Sequence, residues 1–226
     1  MSKVSTRINR EIINLQKNND AFLISFDESN LRKIDAIIKA PKDSLYKHTF
    51  VRLQLNLPEN YPFSNPKVKF INYKGTRIHP NLYGSGKVCL SILGTWTGPS
   101  WISTMTIESV LLSIQSLLDN TPYTHEPNQK DDKIYNKYVR FETFDTLLFS
   151  YIKNERNESI KNYIKTYITE NYNEIKCDLE NLKTQGKFTI NTRYNMHCVT
   201  NYDLHLKSLE EFSLKFSNLD NKKLTL

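Results

Sequence analysis

Cysteine is scarce in this chain: 226 residues hold three, Cys89, Cys177 and Cys198. An odd count at wide spacing excludes a disulfide framework. No C-x-x-C pair occurs either, so a zinc site, or any other metal, is not expected. Long apolar runs are also missing. The N-terminal MSKVSTRINREIINL lacks the apolar core of a signal peptide, and no stretch is long enough to span a bilayer. These absences predict a soluble intracellular protein, cytoplasmic or nuclear, whose thiols stay reduced. Internal repeats and low-complexity linkers are absent. Positive charge is present, at a formal net +7, but it is scattered. With no dense basic run, a solvated surface is favoured over a dedicated nucleic-acid face or a membrane-binding patch.

What the chain does have is apolar mass. Hydrophobic residues make up 38% and aromatics 12%, enough for a packed core and against global disorder. Thirteen Tyr and eleven Phe suggest that aromatics carry much of that core. Val4, Ile8, Ile12 and Leu15 recur at helical spacing and predict an amphipathic helix over 4–19, stopped by Asn18-Asn19-Asp20. Strand-like runs follow at Ala21–Phe26, Ile34–Lys39 and Phe50–Asn56, with Asn30-Leu31 and Ala40–Ser44 as turns. In the third run Val51, Leu53, Leu55 and Leu57 alternate with polar residues, which predicts one wet face. Pro58, Pro62 and Pro66 then impose a rigid extended loop presenting Tyr61 and Phe63. Val68–Asn72 reads as a fourth strand and 73–103 as ordered coil, a length that is usually functional. Thr106 caps an apolar helix ending near Asn120. Asp131–Lys153 reads as helical with a break near Thr143, and Asn157 to Gly186 as one long helix. A hairpin or coil is expected over 187–202 and a last helix over 203–217. The reading is an α+β fold: a helix, a four-stranded antiparallel meander and then helices.

His79 to Trp101, HPNLYGSGKVCLSILGTWTGPSW, is the chemically distinctive stretch. It places one thiol, Cys89, eight positions after the amide of Asn81, amid rigid turn residues. Its setting between Gly86 and a polar loop predicts an accessible thiol rather than a packing cysteine. Cys177, beside the apolar stripe of the long helix, reads as packing, and Cys198 has no motif around it.

The ordered set of motifs resembles the ubiquitin-conjugating enzyme family. It comprises Arg10-Glu11, Pro41-x-Asp43-Ser44-x-Tyr46, Tyr61-Pro62-Phe63-x-x-Pro66, His79-Pro80-Asn81, Gly86-Lys87-Val88-Cys89-Leu90, Trp101 and Leu111–Leu118. The insertion Gly94–Trp101, the Asn120–Tyr123 loop and the Tyr135–Arg140 segment look like the larger members, the Z branch. The resemblance implies that residues 1–154 form a ubiquitin-conjugating (UBC) catalytic core and 155–226 a mostly helical extension packed on it. It implies a thioester on Cys89, accepted from an activating enzyme and passed to a lysine amine or a ligase. No bound cofactor is implied; ATP is consumed by the upstream activating enzyme.

In this scheme Asn81 either donates to the tetrahedral oxyanion or holds the loop in shape. His79 braces the loop backbone rather than acting as a base, and Pro80 fixes the turn. Glu126 matches the family's acidic residue near the cysteine and would orient or help deprotonate the attacking lysine, or else is a loop charge facing water. Tyr123 lines the lysine's approach or packs. Arg7 and Arg10 would meet the activating enzyme, or else form a solvated helix face, and Phe63 and Trp101 would meet a ligase. Trp101-Ile102-Ser103-Thr104 departs from the family's Trp-Ser-Pro-Ala, which counts against a RING-type partner. The competing reading is a catalytically weak UBC-fold scaffold that binds proteins without chemistry.

Overall fold

The computed structural model describes residues 3–17 and 20–223. The chain opens with helix α1 (Lys3–Lys17). Of the stop Asn18-Asn19-Asp20, the two asparagines lie outside the described residues, and Asp20 stands in the turn into the sheet. Strands β1 (Phe22–Asp27), β2 (Asn30–Lys39), β3 (Phe50–Asn56) and β4 (Lys67–Phe70) pair in sequence order, all antiparallel. β2 begins earlier than the hydrophobic pattern indicates. Asn30 already pairs with Asp27, and the turn is the Glu28-Ser29 pair, closed by the Asp27 carboxylate accepting from Ser29 N at 2.8 Å.

Register decides which side chains share a face. Phe22, Ile24 and Phe26 lie opposite Ile38, Ala36 and Ile34, which lie opposite Val51, Leu53 and Leu55. That face enters the core with Ile8, Ile12 and Leu15 of α1 and with Ile107, Val110, Leu111 and Ile114 of α2 (Ile107–Gln115). Helix α2 starts at its predicted cap: Thr106 Oγ1 accepts from Ser109 N, and Ser109 Oγ from Thr106 N. It ends at Gln115, short of Asn120. Leu117 and Leu118 stay buried in tighter turns that close on Ile114 O and Gln115 O.

Glu11, nearly buried, ties three of these parts together. Its Oε2 accepts from Tyr61 Oη and from Ile107 N, both at 2.8 Å, and its Oε1 from Arg7 Nε. A carboxylate at the first residue of α2 meets both the unpaired N–H groups and the positive end of the helix dipole.

The expected wet face of β3 is only half wet. Phe50 and Arg52 are buried there, and Gln54 and Asn56 are exposed. The cause is the C-terminal part of the chain. Helix α3 (Lys133–Phe144) runs through a five-residue π-turn, Asp145–Phe149, into α4 (Ser150–Asn154). The break expected near Thr143 is this π-turn, whose wide turn lets Leu147, Leu148 and Phe149 all be buried in succession. Helix α5 (Glu158–Glu170) then crosses the second face of the sheet. Tyr163 and Tyr167 set their rings edge-on to Phe50 at 5.8 and 5.1 Å. Asn157 Nδ2 donates to Ser25 and Asp35, and Arg52 pairs with Asp35 at 2.8 Å and Glu155 at 3.0 Å.

The single long helix read from 157 to 186 is two, α5 and α6 (Tyr172–Lys183). Asn171 separates them: its Nδ2 donates to Tyr167 O, competing with the helical ladder. Cys177 is exposed rather than packed. It lies two residues, about 200° of helix, from each of the buried Ile175 and Leu179. Strands β5 (Thr189–Asn191) and β6 (His197–Val199) form the hairpin, and α7 (Tyr202–Lys223) closes the chain. Among the described residues, no helix is long and apolar enough to cross a membrane.

Helix α7 buries His205 among the rings of Phe141, Phe144, Phe149 and Tyr202. Burial lowers its pKa from 6.5 to about 4, with Asp145 opposing and Lys74 and Arg140 assisting. A histidine depressed in the fold is neutral there while the unfolded chain is already protonated. Its contribution is therefore complete above pH 6.5 and is lost as pH falls from 6.5 towards 4. The loss amounts to roughly 3 kcal/mol at most. Urea unfolding at pH 7.5 and 4.5 should show His205→Leu losing less stability on acidification than the wild type, by a margin of that order.

Candidate functional site

The segment from Ile78 to Leu90 folds as an irregular hairpin. Leu82 bridges both His79 and Val88, and Tyr83 N donates to Lys87 O at 3.0 Å. Gly86 closes its turn at φ 94°, where a Cβ would stand 2.7 Å from Phe70 O, so only glycine lets this hairpin lie against the end of β4.

Cys89 and Asn81 face each other across that hairpin. Cys89 N donates to Asn81 O at 2.9 Å, and Asn81 Nδ2 donates to Cys89 O at 2.8 Å. Of the two roles open to Asn81, the brace is the one this conformation displays, because one N–H of its amide is given to the backbone of the cysteine. Its Oδ1 is buried without a hydrogen bond.

His79 takes the structural position expected of it. Its Nδ1 accepts from Asn81 N at 2.9 Å. Burial above all, together with the His125 and Arg77 charges, holds its pKa well below the ordinary histidine value. It is therefore a neutral ring whose Nδ1 lone pair is occupied. Nε2 makes no hydrogen bond of good geometry, although the Leu117 backbone works against the depression. Pro80 sits at the turn and offers its carbonyl to Arg77 Nη2 at 2.7 Å.

The expected accessible thiol is not found: Cys89 is only 1% exposed. The Gly94–Trp101 insertion is tied to the segment on both sides of this residue. Thr95 Oγ1 donates to Val88 O at 2.7 Å and accepts from Leu90 N at 3.0 Å, one bond on each side of Cys89. Gly98, at φ 135°, approaches so closely that a Cβ there would be 2.9 Å from Ser91 Cβ. The insertion thus folds back over the segment that carries the cysteine. Cys198, by contrast, sits in β6 with its thiol pushed up to about 12 by burial and Glu142, an inert thiol.

Glu126 and Tyr123 come to the site through residues the sequence did not single out. Arg77 Nη2 pairs with Glu126 Oε1 at 3.0 Å, and Tyr194 Oη donates to the same oxygen at 2.5 Å. Tyr123 is buried, its ring 5.1 Å from that of Tyr135 and 6.3 Å from that of Tyr194, so it packs. Arg77 and Tyr194 belong to no motif and lie more than a hundred positions apart. Only the proximity of Arg77 to His79 marked it in the sequence.

The remaining predicted residues form a separate cluster. Trp101 Nε1 donates to Pro62 O at 2.7 Å, and its ring lies 5.9 Å from Tyr61, which reaches Glu11 and hence Arg7. Arg7 Nη2 also holds Met105 O at 3.1 Å, so its guanidinium is engaged within the fold, whereas Arg10 is exposed. Phe63, 77% exposed, stands free on the Pro-rich loop.

The fold and site together define a class: an α+β domain with a cysteine clasped by an asparagine on an ordered loop beside a four-stranded meander. The profile of the family described as Ubiquitin-conjugating enzyme matches residues 7–144, and the chain belongs to that family. It is 41% identical over 146 residues to Ubiquitin-conjugating enzyme E2 Z of Danio rerio, covering 61% of this chain and 44% of that protein. The enzyme E2 of African swine fever virus (isolate Pig/Kenya/KEN-50/1950) is 36% identical over 149 residues, 63% of this chain and 66% of the viral one. Among solved structures, human Ubiquitin-conjugating enzyme E2 G1 aligns at a TM-score of 0.45 and 31% identity, covering 51% of this chain and 94% of that one. The chain thus spans less than half the length of the E2 Z relative it matches.

Replacing Asn81 by Ala removes the bond to Cys89 O and leaves a buried carbonyl unpaired. Unfolding free energy should fall by about 1–2 kcal/mol in urea titrations. An unchanged midpoint and slope would show that the clasp contributes nothing to the loop.

Proposed function

We propose that Cys89 accepts ubiquitin or a ubiquitin-like modifier from an activating enzyme and transfers it to a lysine amine or to a ligase. The observation that carries this reading is the pairing of Cys89 and Asn81 on one ordered hairpin, within the region that matches the family. In the loading step Cys89 Sγ attacks the carbonyl of the activating enzyme's thioester. A new C–S bond forms, the old one breaks, and the proton of Cys89 ends on the departing thiol. In the transfer step an uncharged lysine amine attacks, a C–N bond replaces the C–S bond, and the proton the amine gives up balances the thiol of Cys89 that is released. The acyl group arrives activated by ATP spent upstream, so the site needs neither a bound cofactor nor a base on the sulfur. That agrees with a His79 ring whose Nδ1 already serves the loop.

The resting geometry places two requirements on this chemistry. The thiol of Cys89, 1% exposed, must open to solvent to meet a partner. Asn81 must serve the oxyanion with the second N–H of its amide or by turning from Cys89 O; such a donor accounts for about 3 kcal/mol of barrier. Glu126 is the residue we assign to orient the incoming lysine. Arg10, with Arg7 on the same helix, is the contact for the activating enzyme, and exposed Phe63 with Trp101 the contact for a ligase. We place the activity in the cytoplasm or nucleus, on a catalytic core of residues 1–154.

The buried thiol is the observation that favours the second reading, a catalytically weak scaffold. One assay separates the two. Incubated with ATP, a panel of modifiers and a panel of activating enzymes, the wild type should form a thiol-sensitive adduct on non-reducing gels. Cys89→Ser should form one that resists thiol and yields to hydroxide. Thiol-sensitive charging of Cys89→Ser would move the site elsewhere, and no charging of the wild type would leave the scaffold.

A further inference from the structure

The hairpin of β5 and β6 carries Tyr194 at its tip, and that tip is conformationally unusual. Tyr194 and Asn195 both adopt left-handed backbone, at φ 59° and 55°. Neither is glycine, and L side chains visit this region at a cost. Two consecutive residues held there project the Tyr194 ring away from its own hairpin and onto Arg77.

Arg77 is the centre of the contact. Its guanidinium carbon lies 4.2 Å from the centroid of the Tyr194 ring and 4.3 Å from that of Tyr83, so the cation is stacked between two tyrosine faces. Its Nη2 reaches Pro80 O and Glu126 Oε1, and its Nε is buried without a hydrogen bond. Tyr194 Oη donates to the same Glu126 oxygen. A continuous path of polar contacts therefore runs from the hairpin tip to the cysteine: Tyr194 to Glu126, Glu126 to Arg77, Arg77 to Pro80, and from the next residue, Asn81, to Cys89. Both contacts fall on Glu126 Oε1, and Oε2 takes part in neither. The two contacts thus hold the carboxylate through one oxygen. A carboxylate so fixed can receive a cation, and the acceptor's ammonium group is the cation that lysine transfer would bring.

We propose that Tyr194 is a positioning residue for lysine transfer: its hydroxyl fixes the Glu126 carboxylate that guides the acceptor amine, which makes the C-terminal hairpin part of the active site. The proposal rests on the function assigned above to Cys89 and Glu126. Tyr194 does not touch the reacting atoms. It acts through Glu126 and through the stacking that holds Arg77 on the Pro80 carbonyl.

Tyr194→Phe separates these contributions, because the ring stacked on Arg77 remains while the hydroxyl on Glu126 is lost. The test uses the full chain, charged on Cys89 and then chased with free lysine over a range of lysine concentration and pH. Charging of Tyr194→Phe should equal that of the wild type. Its discharge should be slower by about tenfold, the scale of one hydrogen bond to a charged group, with the loss expressed as a higher KM for lysine and a displaced pH–rate profile. Adding Tyr194→Phe to Glu126→Gln should cost nothing further, since the two act as one unit. Discharge of Tyr194→Phe at the wild-type rate, or additive losses in the double variant, would overturn the proposal while leaving the function of Cys89 intact. A wild type that never charges would remove that function, and the proposal with it.

Discussion

Arg52 is a cation in the middle of the sheet, 3% exposed, and the structure is arranged around satisfying it. A guanidinium so placed is stable only if acceptors surround it. Asp35 provides one from the neighbouring strand, the Leu53 carbonyl a second and Glu155 a third. Glu155 lies just beyond α4, where the chain turns to cross the second face of the sheet. Its Oε1 also accepts from the backbone N–H groups of Arg156 and Asn157, which fixes the start of α5. Removing Arg52 would leave the buried Glu155 carboxylate without its cation, so the sheet and the C-terminal region share one electrostatic constraint.

The same docking repeats at other points of contact. His48, itself in left-handed backbone at φ 71°, donates through Nε2 to Asp178 of α6 at 3.0 Å. Lys47 and Arg140 converge on that carboxylate, at 3.1 and 3.5 Å. Burial lowers the His48 pKa, and Asp178, drawing on Lys47, His48 and Arg140, is held below the usual carboxylate range. The residues after 154 therefore grip the sheet, the loop before β3 and helix α3 together. Once they do, the β5–β6 hairpin is delivered to Arg77, and the hairpin tip meets the loop that holds the cysteine.

Around Cys89 the physical theme is backbone restraint. Asn81, His79 and Thr95 each direct a side chain at a main-chain group of the 79–90 segment. Arg77 adds the Pro80 carbonyl. Few polar groups here are left free for chemistry in the resting state. This suits the acyl transfer proposed above, which needs shape more than proton transfer.

Much of this was legible in the sequence. Alternation in β3, the Thr106 cap, the run of prolines and the His79–Cys89 spacing are local signals, and each reflects the conformational preference of a few neighbouring residues. They were enough for the sheet, the order of elements and the pairing of Asn81 with Cys89. What they could not carry was anything that depends on a distant partner. The burial of Arg52 needs Glu155, the tie across the Cys89 segment needs the return of Thr95, and the break at Asn171 needs a choice between two hydrogen-bonding patterns for one amide. Tyr194 and Arg77 carry no pattern of their own, because a stacked cation is written in three-dimensional proximity rather than in spacing. The sequence by itself determined the fold, its family and the cysteine at its centre. Only the tertiary structure decided that the thiol is covered and that the C-terminal hairpin reaches its loop, because both follow from contacts between segments that local preference does not link.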